Sequence, residues 1–257
     1  MITQPAWELE VNLYLFMKRY FAGMTDTGNV RNVNQDSYYI DPDGRFFIVA
    51  DGMGGHAGGQ EASSIATQTI KEHILKHWES SKKSDSILKE AFVAANQAIL
   101  DEQDKHPELR DMGTTAVVAL FRDQDSPWFA NVGDSRLYRL RGHQLEQITE
   151  DQTWVAQAVK RNALNQDEAR THPWRHVLSQ CLGRADLSDI AIAQIDVQSG
   201  DRLLLCSDGL TEELSDGIIA SHMKSIRACD KAATTLIKAA KDREGKDNIT
   251  VIVIAID

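Results

Sequence analysis

The 257-residue chain is 42% hydrophobic and 26% charged, the balance of a globular protein able to build a large core. Its 38 Asp and Glu against 28 Lys and Arg leave a formal net charge of -10, which argues against nucleic acid or an anionic membrane surface as a partner. Three cysteines, none in a C-x-x-C pair, argue against a disulfide framework and favour a reducing compartment, with the cytoplasm as the expected location.

No Pro/Ser-rich linker, low-complexity tract or solenoid-period repeat divides the chain, so one domain is expected. The N-terminal stretch AWELEVNLYLFMKRY carries Glu8 and Glu10 and lacks both a basic leader and a long apolar centre, so it reads as neither signal peptide nor membrane span. Met17 and Met24 are alternative starts, and residues 1–20 are taken as an extension outside a domain covering 21–257. Strand-like aliphatic and aromatic runs then lie at 37–40, 46–50, 116–121, 128–132, 136–141, 202–206 and 250–256. Helical periodicity marks 60–78, 84–103 with Ser84 as N-cap, 153–161 and 230–241. This order lacks the strict alternation of a doubly wound parallel sheet. The loops between 116 and 141 are too short for crossovers, so those three strands are expected to be antiparallel, in an α+β fold with helices packed outside the sheets.

Aspartates punctuate these runs. Asp51 ends FFIVAD, Asp208 ends RLLLCSD, Asp134 follows WFANVG, Asp247 precedes NITVIVIAI and Asp36 opens DSYYI. Any one of them could be a turn residue only. Five at strand tips can converge at one end of the sheets, where such carboxylates need cations. Oxygen ligands without histidine or cysteine select Mg²⁺ or Mn²⁺ over Zn²⁺ or Cu²⁺. Two such ions, about 3.5 to 4 Å apart, would make a hydroxide nucleophile suited to attack on phosphorus. Arg31, five residues before Asp36, is placed to clamp two phosphate oxygens.

The stretches TDTGNVRNVNQD, VADGMGGHAGG, MGTTAVV, NVGDSRLYR, CSDGL and GKDNIT, in this order and spacing, resemble the metal-dependent 2C-type (PPM) serine/threonine protein phosphatases from about Ala22 to Asp257. The resemblance implies a four-layer αββα sandwich of two antiparallel sheets flanked by helix pairs. It implies that Asp51 bridges two metals, that the Gly52 carbonyl ligates one of them, and that Asp208 and Asp247 hold the other. Asp36 would sit at the metal site directly or through water, Asp134 with Asp208 would hold a third, weaker ion, and Arg31 would bind phosphate. The implied partner is a phosphoprotein hydrolysed by a monomeric enzyme.

Some positions depart from the family pattern. Met53 stands where many eukaryotic members carry a histidine proposed as general acid, His56 lies three residues on, and a metal-bound water is the alternative proton source. Gln35 and Glu244 replace a glutamate and a glycine of other members. Residues 153–183 lie where bacterial members place a mobile flap, and this segment is more similar to the cyanobacterial phosphatases that act on the phosphorylated nitrogen-signalling protein PII. His176 within it is a candidate substrate contact.

Other signals have plainer readings. His73 and His77 have the i, i+4 spacing of a helical zinc pair, but no third ligand is evident in the sequence, and a solvated helix face is expected. Trp128, Trp154 and Trp174 read as packing residues. GMGGHA after a strand matches a dinucleotide fingerprint, yet no parallel strand ending in an acid follows its helix. A phosphoprotein-binding protein without activity is disfavoured because every metal-matching aspartate is present.

Overall fold

The computed structural model describes residues 17–55, 58–122 and 126–257, so most of the expected extension and His56 lie outside the described residues. The described chain forms two antiparallel sheets. The first runs in the order β1 (Arg19–Asp26), β11 (Ile249–Ile256), β10 (Arg202–Cys206), β7 (Arg136–Arg141), β8 (Gln144–Gln147). The second runs β2 (Asp36–Ile40), β3 (Phe46–Met53), β5 (Ala116–Leu120), β6 (Trp128–Val132), β9 (Ala191–Gln194), and short β4 (Gly113–Thr114) pairs with the end of β3.

The strand β3 shows why the architecture has four layers. Its run Phe46 to Ala50 is continuously apolar because both faces are covered. Phe47 and Val49 enter the core between the sheets, whereas Phe46 and Ile48 pack under helices α1 (Gly58–Lys76) and α2 (Ser84–Lys105). The first sheet repeats the pattern, with Leu203 and Leu205 between the sheets and Leu204 and Cys206 under α6 (Asp216–Ser225) and α7 (Cys229–Arg243). Between β8 and β9, the short α3 (Trp154–Lys160) and α4 (Gln166–Thr171) lie in the flap segment; α5 (Asp208–Thr211) follows β10 directly.

Several expectations change. Arg19 and Tyr20, expected in the extension, are strand residues: β1 pairs along its whole length with apolar β11, from Arg19 opposite Ile256 to Asp26 opposite Ile249. Lys18 and Asp257 also exchange backbone hydrogen bonds of 3.1 and 2.8 Å. The three expected antiparallel strands divide, because β5 and β6 pair in the second sheet while β7 pairs with β10 in the first. The chain crosses between sheets at Gly133, which has φ 99° and would place a Cβ 2.6 Å from the Thr115 side chain. Lys83, not Ser84, is the N-cap of α2, and the buried Ser84 hydroxyl has no hydrogen-bond partner among the described residues. Trp154 and Trp174, read as packing residues, do pack on each other and on His172, but within the flap, where they are 38% and 55% exposed. β3 runs antiparallel to both its sheet neighbours, which removes the dinucleotide-fold alternative. No helix among the described residues is long and apolar enough to cross a membrane.

Candidate metal and phosphate site

The aspartates come from both sheets and meet at one end of the seam between them. Asp36 and Asp51 face each other across the β2–β3 ladder of the second sheet. Asp208 opens α5 straight after β10, and Asp247 lies in the loop before β11, so both are positioned by strands of the first sheet. Asp134 occupies the crossing from β6 to β7. Arg31 lies in the loop between β1 and β2, where its Nη2 donates to Asp247 Oδ2 at 2.7 Å.

Backbone and hydroxyl groups fix these carboxylates. Asp36 Oδ2 accepts from Ser207 Oγ at 2.7 Å and from Thr250 Oγ1 at 2.6 Å, joining β2 to β10 and β11 of the other sheet. The Asp51 backbone N–H donates to Thr115 Oγ1 at 3.0 Å, and its carbonyl accepts from the Thr114 hydroxyl at 2.8 Å and the Thr115 N–H at 2.9 Å. Asn248 ties the loop of Arg31 in place: its amide donates to the carbonyls of Thr27 and Val33, and its Oδ1 accepts from the Gln35 N–H. The Gln35 carbonyl accepts from the Gly52 N–H and the Ser63 hydroxyl. Gly52 is required by space, since a Cβ there would lie 1.9 Å from the Gly59 carbonyl oxygen at the start of α1.

The electrostatics are those of anions crowded together. Desolvation, then repulsion from Asp208 and Asp247, pushes Asp36 up to about 7 against the hydrogen bonds of Thr250 and Ser207. Desolvation and the charges of Asp36, Asp208 and Asp134 push Asp51 well above the usual carboxylate range. Asp134 rises through desolvation and the charges of Asp208 and Asp151, and Asp208 rises through desolvation and Asp247. Asp36 Oδ1 is moreover buried without a hydrogen-bond partner among the described residues. An orphaned carboxylate oxygen among mutually repelling carboxylates, all with oxygen donors, fits hard divalent cations.

His176 reaches this cluster from the flap. Its Nδ1 pairs with Glu212 Oε1, and Glu212 lies one helical turn beyond Asp208, with its N–H donating to the Asp208 carbonyl at 2.9 Å. Ligating atoms of His176, Asp208 and Glu212 lie within 4.8 Å of one another. Desolvation and the charges of Asp208 and Asp247 raise Glu212 to about 7.

A protein phosphatase 2C family model matches residues 29–241. The serine/threonine phosphatase stp of Listeria monocytogenes is 32% identical over 238 residues, spanning 91% of this chain and 94% of that protein. The chain belongs to the protein phosphatase 2C family. Among solved structures, the Mycobacterium tuberculosis serine/threonine phosphatase PstP superposes with a TM-score of 0.84 at 34% identity, covering 93% of this chain and 99% of that one. The catalytic domain of PstP in complex with two manganese ions superposes at 0.80 with 33% identity, covering 93% and 99%.

In this 2C-family chain every aspartate singled out from sequence, with Gly52, Arg31 and His176, reaches the same end of the molecule. What the sequence reading missed is their support: Ser207, Thr250, Thr114, Thr115, Asn248 and Glu212. Five of these lie inside the recognised motifs, Thr114 and Thr115 in MGTTAVV, Ser207 in CSDGL, Asn248 and Thr250 in GKDNIT, so their signal was membership of those motifs. Glu212 had none, because its partner His176 is 36 residues away.

Proposed function

We propose that this 2C-family protein hydrolyses phosphoserine and phosphothreonine in phosphoproteins in one step, without a phosphoenzyme. The observation that carries the reading is the meeting of five aspartates from two sheets beside an arginine oriented by one of them. Asp51 and the Gly52 carbonyl, with Asp208 and Asp247, would hold two Mn²⁺ or Mg²⁺ ions, with Asp36 beside them and Asp134 helping Asp208 to hold a third. When bound, such ions supply a nucleophilic hydroxide from water at neutral pH and neutralise phosphoryl oxygens. Arg31 presents a guanidinium whose positive charge is reinforced by the hydrogen bond it donates to Asp247 and by the charges of Asp51 and Asp208. Its planar fork binds two equatorial oxygens of the substrate and follows their charge into the transition state. Met53 carries no proton to donate, so the leaving alkoxide takes its proton from solvent in the site.

The flap, about 153–183, is the specificity element of a phosphatase domain that takes in β1 from Arg19 onward, and His176 on the flap contacts the phosphoprotein. Phosphorylated PII is the candidate substrate, supported by the resemblance of the flap segment alone, and the working form is a cytoplasmic monomer. The test is hydrolysis of phosphorylated PII, unrelated phosphopeptides and an aryl phosphate with Mn²⁺, with Mg²⁺ and with chelator. Activity should require the added ion and fall by about three orders of magnitude in D51A and D208A, a loss of about 4 kcal/mol of transition-state stabilisation. Full turnover in metal-stripped buffer would overturn the reading.

A further inference from the structure

A second group of metal-ligating side chains lies at the other end of α1, about 22 Å along the helix from Gly58. His73 and His77 sit on successive turns with ring centroids 4.6 Å apart. The sequence places no third ligand as an H-E-x-x-H motif would, but the α1–α2 hairpin folds one in: Glu90 on α2 places Oε2 3.3 Å from His73 Nε2. One ligating atom from each of the three residues lies within 4.8 Å of the other two. His73 Nε2 is buried and faces the Glu90 carboxylate.

We propose that His73, His77 and Glu90 form a binding site for a zinc-class transition ion that clamps the end of α1 to the beginning of α2. Two imidazoles and one carboxylate are a zinc donor set, with the fourth position left to water, and they contrast with the all-oxygen set of the aspartate centre. Desolvation and the neighbouring His77 lower the pKa of His73, which favours the neutral ring that a metal ion takes as ligand. The competing cation is Lys82, whose Nζ lies 2.5 Å from Glu90 Oε2. That side chain is 40% exposed and can leave to solvent when the ion binds. Because α1 and α2 together cover the second sheet, the ion stabilises the hairpin without touching the chemistry.

The experiment titrates zinc into the Mn²⁺-loaded protein, so that the aspartate centre is already filled, and reads zinc per chain by equilibrium dialysis together with the thermal midpoint. Wild type should bind one zinc and gain about 5 °C at a hundredfold excess over Kd. H77A and E90Q should lose both the zinc and the gain while hydrolysing an aryl phosphate at the wild-type rate in Mn²⁺. K82M, with the competing ammonium removed, should bind zinc more tightly than wild type. Zinc uptake that is absent from wild type, or equal in wild type, H77A and E90Q, overturns the site.

Discussion

Asp36 illustrates how much of the candidate metal centre is held by residues that carry no charge. One of its oxygens is fixed by two hydroxyls from the opposite sheet, and the other is left bare. Ser207 also accepts from the Thr250 N–H at 2.9 Å, so S207A removes a donor to the carboxylate and a link to β11. The expected outcome is a Mn²⁺ requirement raised about 10- to 100-fold with kcat nearly recovered at saturating metal, measured as activity against free Mn²⁺. An unchanged metal requirement would mean that the hydroxyl does not orient Asp36. Asp41, remote from the site, shows the opposite electrostatic case. Desolvation would raise it, but the two-pronged Arg45 guanidinium and the N–H groups of Arg45 and Asp43 outweigh that and hold it below the usual range. A depressed carboxylate stabilises the fold above its unfolded pKa and loses that contribution as pH falls through the folded value. D41N should therefore cost about 1–3 kcal/mol at pH 7, with the gap to wild type closing below about pH 4 in denaturation curves taken across pH.

Among the elements, the flap is tied to the second sheet at its base, where Thr114 and Leu182 exchange backbone hydrogen bonds, and reaches the aspartates through a side-chain pair. Its two short helices are capped locally, α3 by Thr153 accepting from the Ala156 N–H and α4 by a reciprocal pair between Asn165 and Glu168. The tip meets the site through His176 and Glu212. H176A should reduce kcat/KM for a phosphoprotein about tenfold or more while leaving an aryl phosphate nearly unaffected, because a small substrate makes no use of the flap. Equal losses on both substrates would place His176 in the chemistry instead. The exposed Trp154 and Trp174 belong to the same element. Sequence alone left them as packing residues of the core or of the flap, and the tertiary contacts decide for the flap.

For the molecule as a whole, the site exists only where two sheets meet, so its integrity follows the core between them. L205A deletes a fully buried side chain from that core and should cost about 2–5 kcal/mol, read as a lowered thermal midpoint, with loss of activity tracking loss of fold. Activity surviving well above the unfolding midpoint would show that the sheets can separate without dispersing the site. The amino-acid sequence by itself determined the chemistry: aspartates at the tips of apolar runs, an arginine near one of them, and ordered motifs that assign both to one family. Seven of the eleven strands among the described residues were legible because period and apolar content are local properties. The four that were not, among them β1 and β4, owe their existence to a partner strand, which is a long-range fact. Tertiary structure alone decided that β6 and β7 belong to different sheets, that the hydroxyls of Ser207 and Thr250 meet Asp36, and that Glu90 comes to stand beside His73. Each is a contact between residues distant in the chain, and no local propensity encodes which distant groups a packed core will bring together.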